Sequence, residues 1–486
     1  KSPWHRGALL AMGDLEYRRA RFDAGLVHVV RALRLDAYDA EANFVAGNLY
    51  RALGKTADAR DAFGWAARAL AYRSAANVQL AELALVRSDL SEADRYARIA
   101  IDYNRLNLSA WQILALVGRK TGNATQASTA AAQLIEFDPL HHFVRAEAYL
   151  SKPGAATSAA FLDGLRSEFP DQSVLELAIG YANRGQTADA ISLLDAATTK
   201  MRNPLLRAWL AYLKQDAAAL STADVSMVFP YRLETLPVLT WAAQQNNHWS
   251  WTYLRALNLW AFDRLPEAER LLTPLGNTPD AAAFYVSRAH LVEKAGGDPE
   301  PDLKRAETLA GTDRTVRIPL IQHYQKQARW SDALAASARA RQQFPKDFNL
   351  DLLHVRSLLS LERPTEALAV LNVTRVLPSE HSRETHQMYV QAHVLAALAS
   401  YNAGRWADAT THLTSALEWP ERLGQGKPYD PEERLIRFLL GRVAQRQGLT
   451  AEAQSQFEAV IAATGGGGGS SLELLALAAQ KSLGQM

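Results

Sequence analysis

The chain holds 12 histidines and no cysteine, so the search for chemistry begins with imidazole. Imidazole is both a metal ligand and a proton carrier near neutral pH. The lack of thiols removes disulfides, thiol nucleophiles and thiolate metal sites together. His141 and His142 are adjacent and therefore diverge on a helix. His381, His386 and His393 stand five and seven apart, and only the latter pair shares a helix face. No His-Glu-x-x-His is present, so neither a metal site nor a cofactor is expected.

Carboxylates come next, because glycoside hydrolysis needs two facing acids about 5 or about 6.5–9.5 Å apart. Glu380, Glu384, Asp430 and Glu147 are the candidates, and capping or solvated-loop roles fit them equally well. Ser379 followed by Glu380 to Ser382 reads as a helix start with an acid in the first turn. Aromatic rings crowd one middle segment: Phe229, Tyr231, Trp241, Trp249, Trp251, Tyr253, Trp260 and Phe262. Flat rings stack on sugars or peptides. Trp249, Tyr253 and Trp260 keep helical spacing, which a buried inter-helix face also requires, whereas Trp251 is off that stripe and is the better candidate for an exposed ring. Phosphate-cradling glycine loops and Gly-x-Ser-x-Gly elbows are missing. The candidate binding residues are therefore Trp249, Trp251, Tyr253, His141, His142, Glu380 and Asp430, and no residue is assigned a catalytic role.

These groups must be positioned by helices, because the chain repeats itself every 34 residues. Ala46-Gly47, Tyr50, Gly54, Ala59, Phe63 and Ala66 fill slots that Leu80-Ala81, Ala84, Ala93, Ala97 and Ala100 fill again one period later. From Leu108 the same slots hold Trp111, Leu114-Ala115, Gly122, Ala127 and Asp138-Pro139. Small residues at these slots let the two helices of a unit approach, and larger apolar residues fill the space between units. This is the tetratricopeptide pattern, and it predicts an all-α solenoid of antiparallel helix pairs. Residues 1–141 form a regular tract. Residues 142–248 are irregular apart from one clear unit beginning at Asp171. Residues 249–464 form a second tract with two inserted loops, one near Leu377 to Glu384 and one from Trp419 to Pro431. Residues 465–471, with five consecutive glycines, read as a flexible linker, and residues 472–486 as a terminal capping helix.

Several segments outside the repeat slots carry a narrower resemblance. They are Tyr72-Arg73-Ser74-Ala75-Ala76, Asp138-Pro139-Leu140-His141-His142, Leu377-Pro378-Ser379-Glu380, Trp419-Pro420-Glu421 and Gly426-Lys427-Pro428-Tyr429-Asp430. The chain resembles the C-terminal helical part of a bacterial family that pairs a galactose-mutarotase-like β-sandwich of unknown function with tetratricopeptide repeats. That resemblance implies a missing upstream sandwich domain and a link with carbohydrate metabolism. It carries no catalytic residue to this chain.

Lys and Arg total 53 against 51 Asp and Glu, a net charge of +2, with both signs interspersed along the helices. This balance argues against nucleic acid or an anionic membrane as partner. No apolar stretch approaches the roughly 18 residues of a membrane span. The start Lys-Ser-Pro-Trp, with no Met and no signal-like region, reads as a mature or excised piece, soluble, from bacterial cytoplasm or periplasm. The function expected from the whole is a non-catalytic protein-binding scaffold that docks a partner, or its own upstream domain, on its concave helical surface. Asn43, Asn48, Asn77 and Gln112 are the polar positions expected to hold a peptide. The alternative is the helical part of a carbohydrate-active, glycoside hydrolase-like protein that contributes aromatic and acidic residues to an oligosaccharide site.

Overall fold

The computed structural model describes residues 4–220, 222–378, 383–463 and 470–484. Among these residues the regular structure is helical throughout, and within each of two units most consecutive helices pack against one another. The chain divides into two compact units, Lys1–Asp280 and Ala281–Met486.

The first unit opens with four hairpins. They are α1 (Arg6–Arg18) with α2 (Phe22–Leu35), α3 (Ala40–Ala52) with α4 (Thr56–Ala66), α5 (Leu70–Val86) with α6 (Leu90–Tyr103), and α7 (Leu108–Thr121) with α8 (Ala124–Phe137). A shortened hairpin follows, α9 (His142–Ser151) and α10 (Ala155–Asp163), and then a regular one, α11 (Pro170–Asn183) and α12 (Thr187–Thr198). Two single helices, α13 (Pro204–Lys214) and α14 (Thr235–Gln245), lead to the last hairpin, α15 (Trp249–Ala261) and α16 (Leu265–Leu272).

The second unit repeats the scheme with α17 (Ala282–Lys294) and α18 (Glu300–Leu309), α19 (Ile318–Lys326) and α20 (Trp330–Gln343), and α21 (Phe348–Ser360) and α22 (Pro364–Leu371). It ends with α23 (Arg383–Asn402) and α24 (Trp406–Ala416), then α25 (Arg434–Gln447) and α26 (Thr450–Ala462), against which α27 (Ser470–Ser482) packs. The inserted loop near Leu377 and the glycine run fall largely on residues outside the description: Glu380 and the proposed Ser379 helix start lie there, as do Gly465 to Gly469.

Local chemistry explains why the hairpins recur. Asp39, Asp89, Asn107 and Asn123 each accept a bond from a backbone N–H in the first turn that follows, satisfying a donor the helix leaves orphaned. Inside each early hairpin the turn needs one left-handed residue, and it falls at Ala20, Gly54, Ser88 and Gly122, at φ of 53°, 71°, 61° and 73°. Close approach of the paired helices rests on small residues: a Cβ on Gly47 would lie 2.5 Å from the Phe63 ring. Between hairpins, Leu9, Leu10, Val29 and Leu49 form one core cluster, and Ala59, Phe63, Leu80 and Leu83 the next.

The first unit also folds back on itself. Arg19, in the turn after α1, pairs with Asp263 in the turn after α15, and Arg21 reaches Glu267 at 3.4 Å. Midway along, Arg51 donates to the Asn183 carbonyl at the end of α11 (3.2 Å), and Arg184 pairs with Glu82 (3.1 Å).

Candidate functional site

In the first unit the interior positions are taken by the chain itself. Arg119 grips Glu147 with two bonds (2.7 and 3.0 Å) and Asp189 with a third (2.8 Å), while Lys120 also reaches Asp189 at 2.8 Å. Tyr181 donates its hydroxyl to Glu147 at 2.5 Å. Burial raises the Tyr181 pKa well above its ordinary value, and the neighbouring Glu147 charge adds to that. A second knot joins Glu82 to Arg51 (2.6 Å) and Arg184, whose other end donates to Gln112 (3.0 Å). Burial alone pushes the Glu82 carboxyl up, but Arg184 and Arg51 outweigh it and hold its pKa below the ordinary value.

Glu147 is thus a structural anion held by an arginine and a tyrosine. Three of the four polar positions expected to hold a peptide are likewise engaged, while Asn48 is partly exposed. Asn43 and Asn77 are buried and donate to carbonyls of their own helix turns, and Gln112 accepts from Arg184.

The three candidate binding rings are buried too. Trp251, expected as an exposed ring, is only 1% accessible, and Trp249 and Tyr253 are buried beside it. The reason is that α15 is flanked by α14 on one side and α16 on the other, so it buries more than one stripe: Ser250, Leu254, Ala256, Asn258 and Leu259 are covered as well. α15 leaves no open ring for a sugar, whereas Phe229 and Tyr231 of the same segment are 69% and 51% exposed. His141 and His142, at the start of α9, are half-buried, and burial lowers both imidazole pKa values.

The second unit does present an open site. Between α24 and α25 the chain departs from the repeat over residues 417–433 and lies as a strap across neighbouring elements. Its anchor is Arg422, which donates to the Leu371 carbonyl (3.3 Å) and to Asn372 Oδ1 (3.0 Å), while Val376 N donates to the Arg422 carbonyl (2.8 Å). Gly424 follows at φ 76°, where a Cβ would sit 3.0 Å from the Val376 oxygen, so the backbone must be bare at this crossing. Two segments that stand outside the repeat slots in sequence, around Leu377 and around Trp419, are therefore adjacent in space.

Under the strap lies a cavity of about 430 Å³ bounded by α23, the end of α24 and the start of α25. Val390, Val394, Leu417 and Ile436 make its apolar walls, and Gln387, Gln391 and Gln425 bring amide groups to it. One wall is rigid: the His386 ring stacks on Trp419 with centroids 3.4 Å apart and planes 10° from parallel. His386 Nε2 lies 3.1 Å from the Glu418 carbonyl, an acceptor only, so Nε2 carries the proton. Burial lowers the His386 pKa, so the ring is neutral at pH 7.

Glu432 and Glu433 also border the cavity, but Arg434 holds the first, and Lys427 (3.1 Å) and Arg437 (2.5 Å) hold the second. Gln425 Oε1 is buried without a hydrogen-bond partner. Asp430 lies on the exposed outer part of the strap and is not among the residues bordering the cavity.

This arrangement offers an apolar slot, a fixed aromatic wall and one unsatisfied acceptor. It brings together no nucleophile with a base. The only group of three potential metal ligands among the described residues, Asp298, Glu300 and His323, lies elsewhere in this unit. There Glu300 is already bonded by Lys304 (2.7 Å), Arg329 (2.5 Å) and Tyr324 (3.2 Å), whose hydrogen bonds hold its carboxyl at about 2. A cation would have to displace two positive charges.

No family model matches the chain, and no curated protein matches it. Solved structures similar to it include yeast Tom70, with 14% identity over 99% of this chain and 96% of that chain and a TM-score of 0.28. The P58(IPK) TPR domain is 13% identical over 92% and 99%, with a TM-score of 0.24. The APC/C hetero-tetramer Cut9-Hcn1 is 10% identical over 98% and 96%, with a TM-score of 0.25. No helix among the described residues is long and apolar enough to cross a membrane.

Proposed function

We propose that the chain is a non-catalytic scaffold that binds a protein partner, and that the cavity beneath the strap is where the second unit accepts an apolar side chain from an extended segment of that partner. The buried, unpartnered Gln425 Oε1 carries this reading. An orphaned acceptor costs about 1–3 kcal/mol, which a bound donor such as a backbone N–H recovers. Apolar walls supply affinity and the single acceptor supplies orientation, the usual division in small binding clefts. The partner is a protein or peptide; an upstream domain of the same polypeptide is one such partner.

The test is methyl NMR of the full chain, titrated with short capped peptides that each carry one Leu, Met or Phe. Saturable shifts at Val390, Val394 and Ile436 that vanish in Gln425→Leu support the site. No saturable shift from any peptide, or shifts that persist unchanged in Gln425→Leu and in Trp419→Ala, refute it.

A further inference from the structure

Three of the four turns that link the early hairpins of the first unit share one construction. Asp36, Asn104 and Asp138 each accept a bond from the backbone N–H two residues on, at Tyr38 (2.9 Å), Leu106 (3.1 Å) and Leu140 (2.9 Å). These are turns closed by a side chain, and they fix the residue that follows. That residue is apolar every time and half or more exposed, as are Leu35 and Tyr103 at the slot before the turn. Both slots recur every 34 residues, as Leu35, Ala69, Tyr103 and Phe137, and as Tyr38, Tyr72, Leu106 and Leu140. One edge of the unit therefore carries an apolar ladder of four steps, set by a side-chain-closed turn at the first, third and fourth; at the second, Tyr72 lies within α5, half-buried against Phe44.

The neighbouring slot gives the ladder a direction. It holds Arg34, Arg68, Asp102 and Glu136, two cations followed by two anions, all exposed and none in an ion pair among the described residues. Arg68 is held flat over Trp65 at 3.8 Å, and Trp65 leans on Tyr38 with centroids 4.7 Å apart.

We infer that this edge is a homodimer interface in which two copies pair antiparallel about a two-fold axis between the second and third steps. That axis sets Arg34 opposite the partner's Glu136 and Arg68 opposite the partner's Asp102, each contact occurring twice. It sets Leu35 against Phe137, Tyr38 against Leu140 and Tyr72 against Leu106. Ala69, the small residue of its series, meets Tyr103, and beside Ala69 lies an open hollow of about 530 Å³ bounded by Tyr38, Trp65 and Arg68. A parallel pairing of the same edges sets like charges together at every step.

The exposed fractions of Leu35, Tyr38, Leu70, Tyr103, Leu106, Phe137 and Leu140, at about 180–220 Å² per whole residue, sum to roughly 700–800 Å² of surface per copy, close to the ~800 Å² per partner of a standard stable interface.

Sedimentation velocity and light scattering on the full chain at about 50 μM test this. The expected mass is twice the 53.5 kDa of one chain. Leu106→Glu, at an exposed turn, gives the monomer with an unchanged helical signal. Arg68→Glu and Asp102→Arg each weaken association about 10-fold or more, because every change acts at two contacts and turns attraction into repulsion. The double variant Arg68→Glu with Asp102→Arg restores it to within about 3-fold. A wild-type monomer at that concentration overturns the proposal. A dimer indifferent to Leu106→Glu overturns it as well, and so does a double variant no stronger than either single one.

Discussion

Gly118 and Gly180 are both interior residues of helices, in α7 and α11, yet the same substitution has opposite consequences at the two. Alanine is better than glycine in a helix interior by about 0.8–1.0 kcal/mol. At Gly180 a Cβ meets nothing within 4 Å, so Gly180→Ala keeps that whole gain. At Gly118 the added carbon lies 2.6 Å from the Ala127 backbone nitrogen and 2.9 Å from its Cα. The obstacle is main chain in the first turn of α8, which cannot swing aside as a side chain can. Because the obstacle is main chain, the cost lies in the upper half of the usual overpacking range, about 2–3 kcal/mol, so after the propensity gain Gly118→Ala is destabilising by roughly 1–2 kcal/mol. Urea unfolding followed by far-UV circular dichroism reads both variants as shifts of the first unit's transition in opposite directions. If Gly118→Ala is as stable as Gly180→Ala, the close approach of α7 and α8 is wrong.

Further outcomes follow from the same geometry. Ser88→Gly, at a left-handed turn position of φ 61°, stabilises the first unit by up to about 1 kcal/mol, read as a rise in midpoint. Glu82→Gln leaves Arg184 and Arg51 without their shared anion and costs about 3 kcal/mol in the same assay. Because the Glu82 carboxyl is held below its ordinary value, its contribution is complete above about pH 4.5 and is lost as pH falls further. In the second unit, burial first, and then Arg341 beside His354 and His412 followed by Arg422 beside His393, hold both imidazoles down to about 4. The unfolded chain therefore takes up protons that the folded one refuses between about pH 6.5 and about 4, so the second unit's midpoint drops as pH falls through that window. Replacing both histidines with Gln flattens this slope; an unchanged slope refutes the assignment.

The helix pairs were legible in sequence because their signal is periodic and local. Slots such as Gly47 and Phe63 state the distance between two adjacent helices, and 34-residue recurrence states that the arrangement repeats. Trp251 was misread because a single amphipathic stripe assumes one buried face, whereas α15 has a neighbour on each side. Arg51, Glu82, Arg119 and Asp189 were not picked out at all. Each is an ordinary charged residue locally, and their pairing depends on which distant turn meets which. The strap site was half visible: Trp419 and the Leu377 segment stood out as departures from the repeat, but the Arg422 anchor and the orphaned Gln425 oxygen exist only once the strap has crossed α22.

The closure of the first unit alters how it must unfold. An open solenoid makes only neighbour contacts, so its stability is a sum along a line and its ends can fray one repeat at a time. Here Arg19 and Asp263 are 244 residues apart, Arg51 and Asn183 are 132 apart, and Glu82 and Arg184 are 102 apart. Loosening α1 and α2 strips partners from α15 and α16 at the other end of the unit. Opening at the two ends of the unit is therefore expected to be coupled. The same ties require long loops to close before they yield any contact, which makes the last step of folding slow for an all-helical protein. Amide exchange in the first and last hairpins should fall with one common rate, where a linear array would show a gradient from the ends inward.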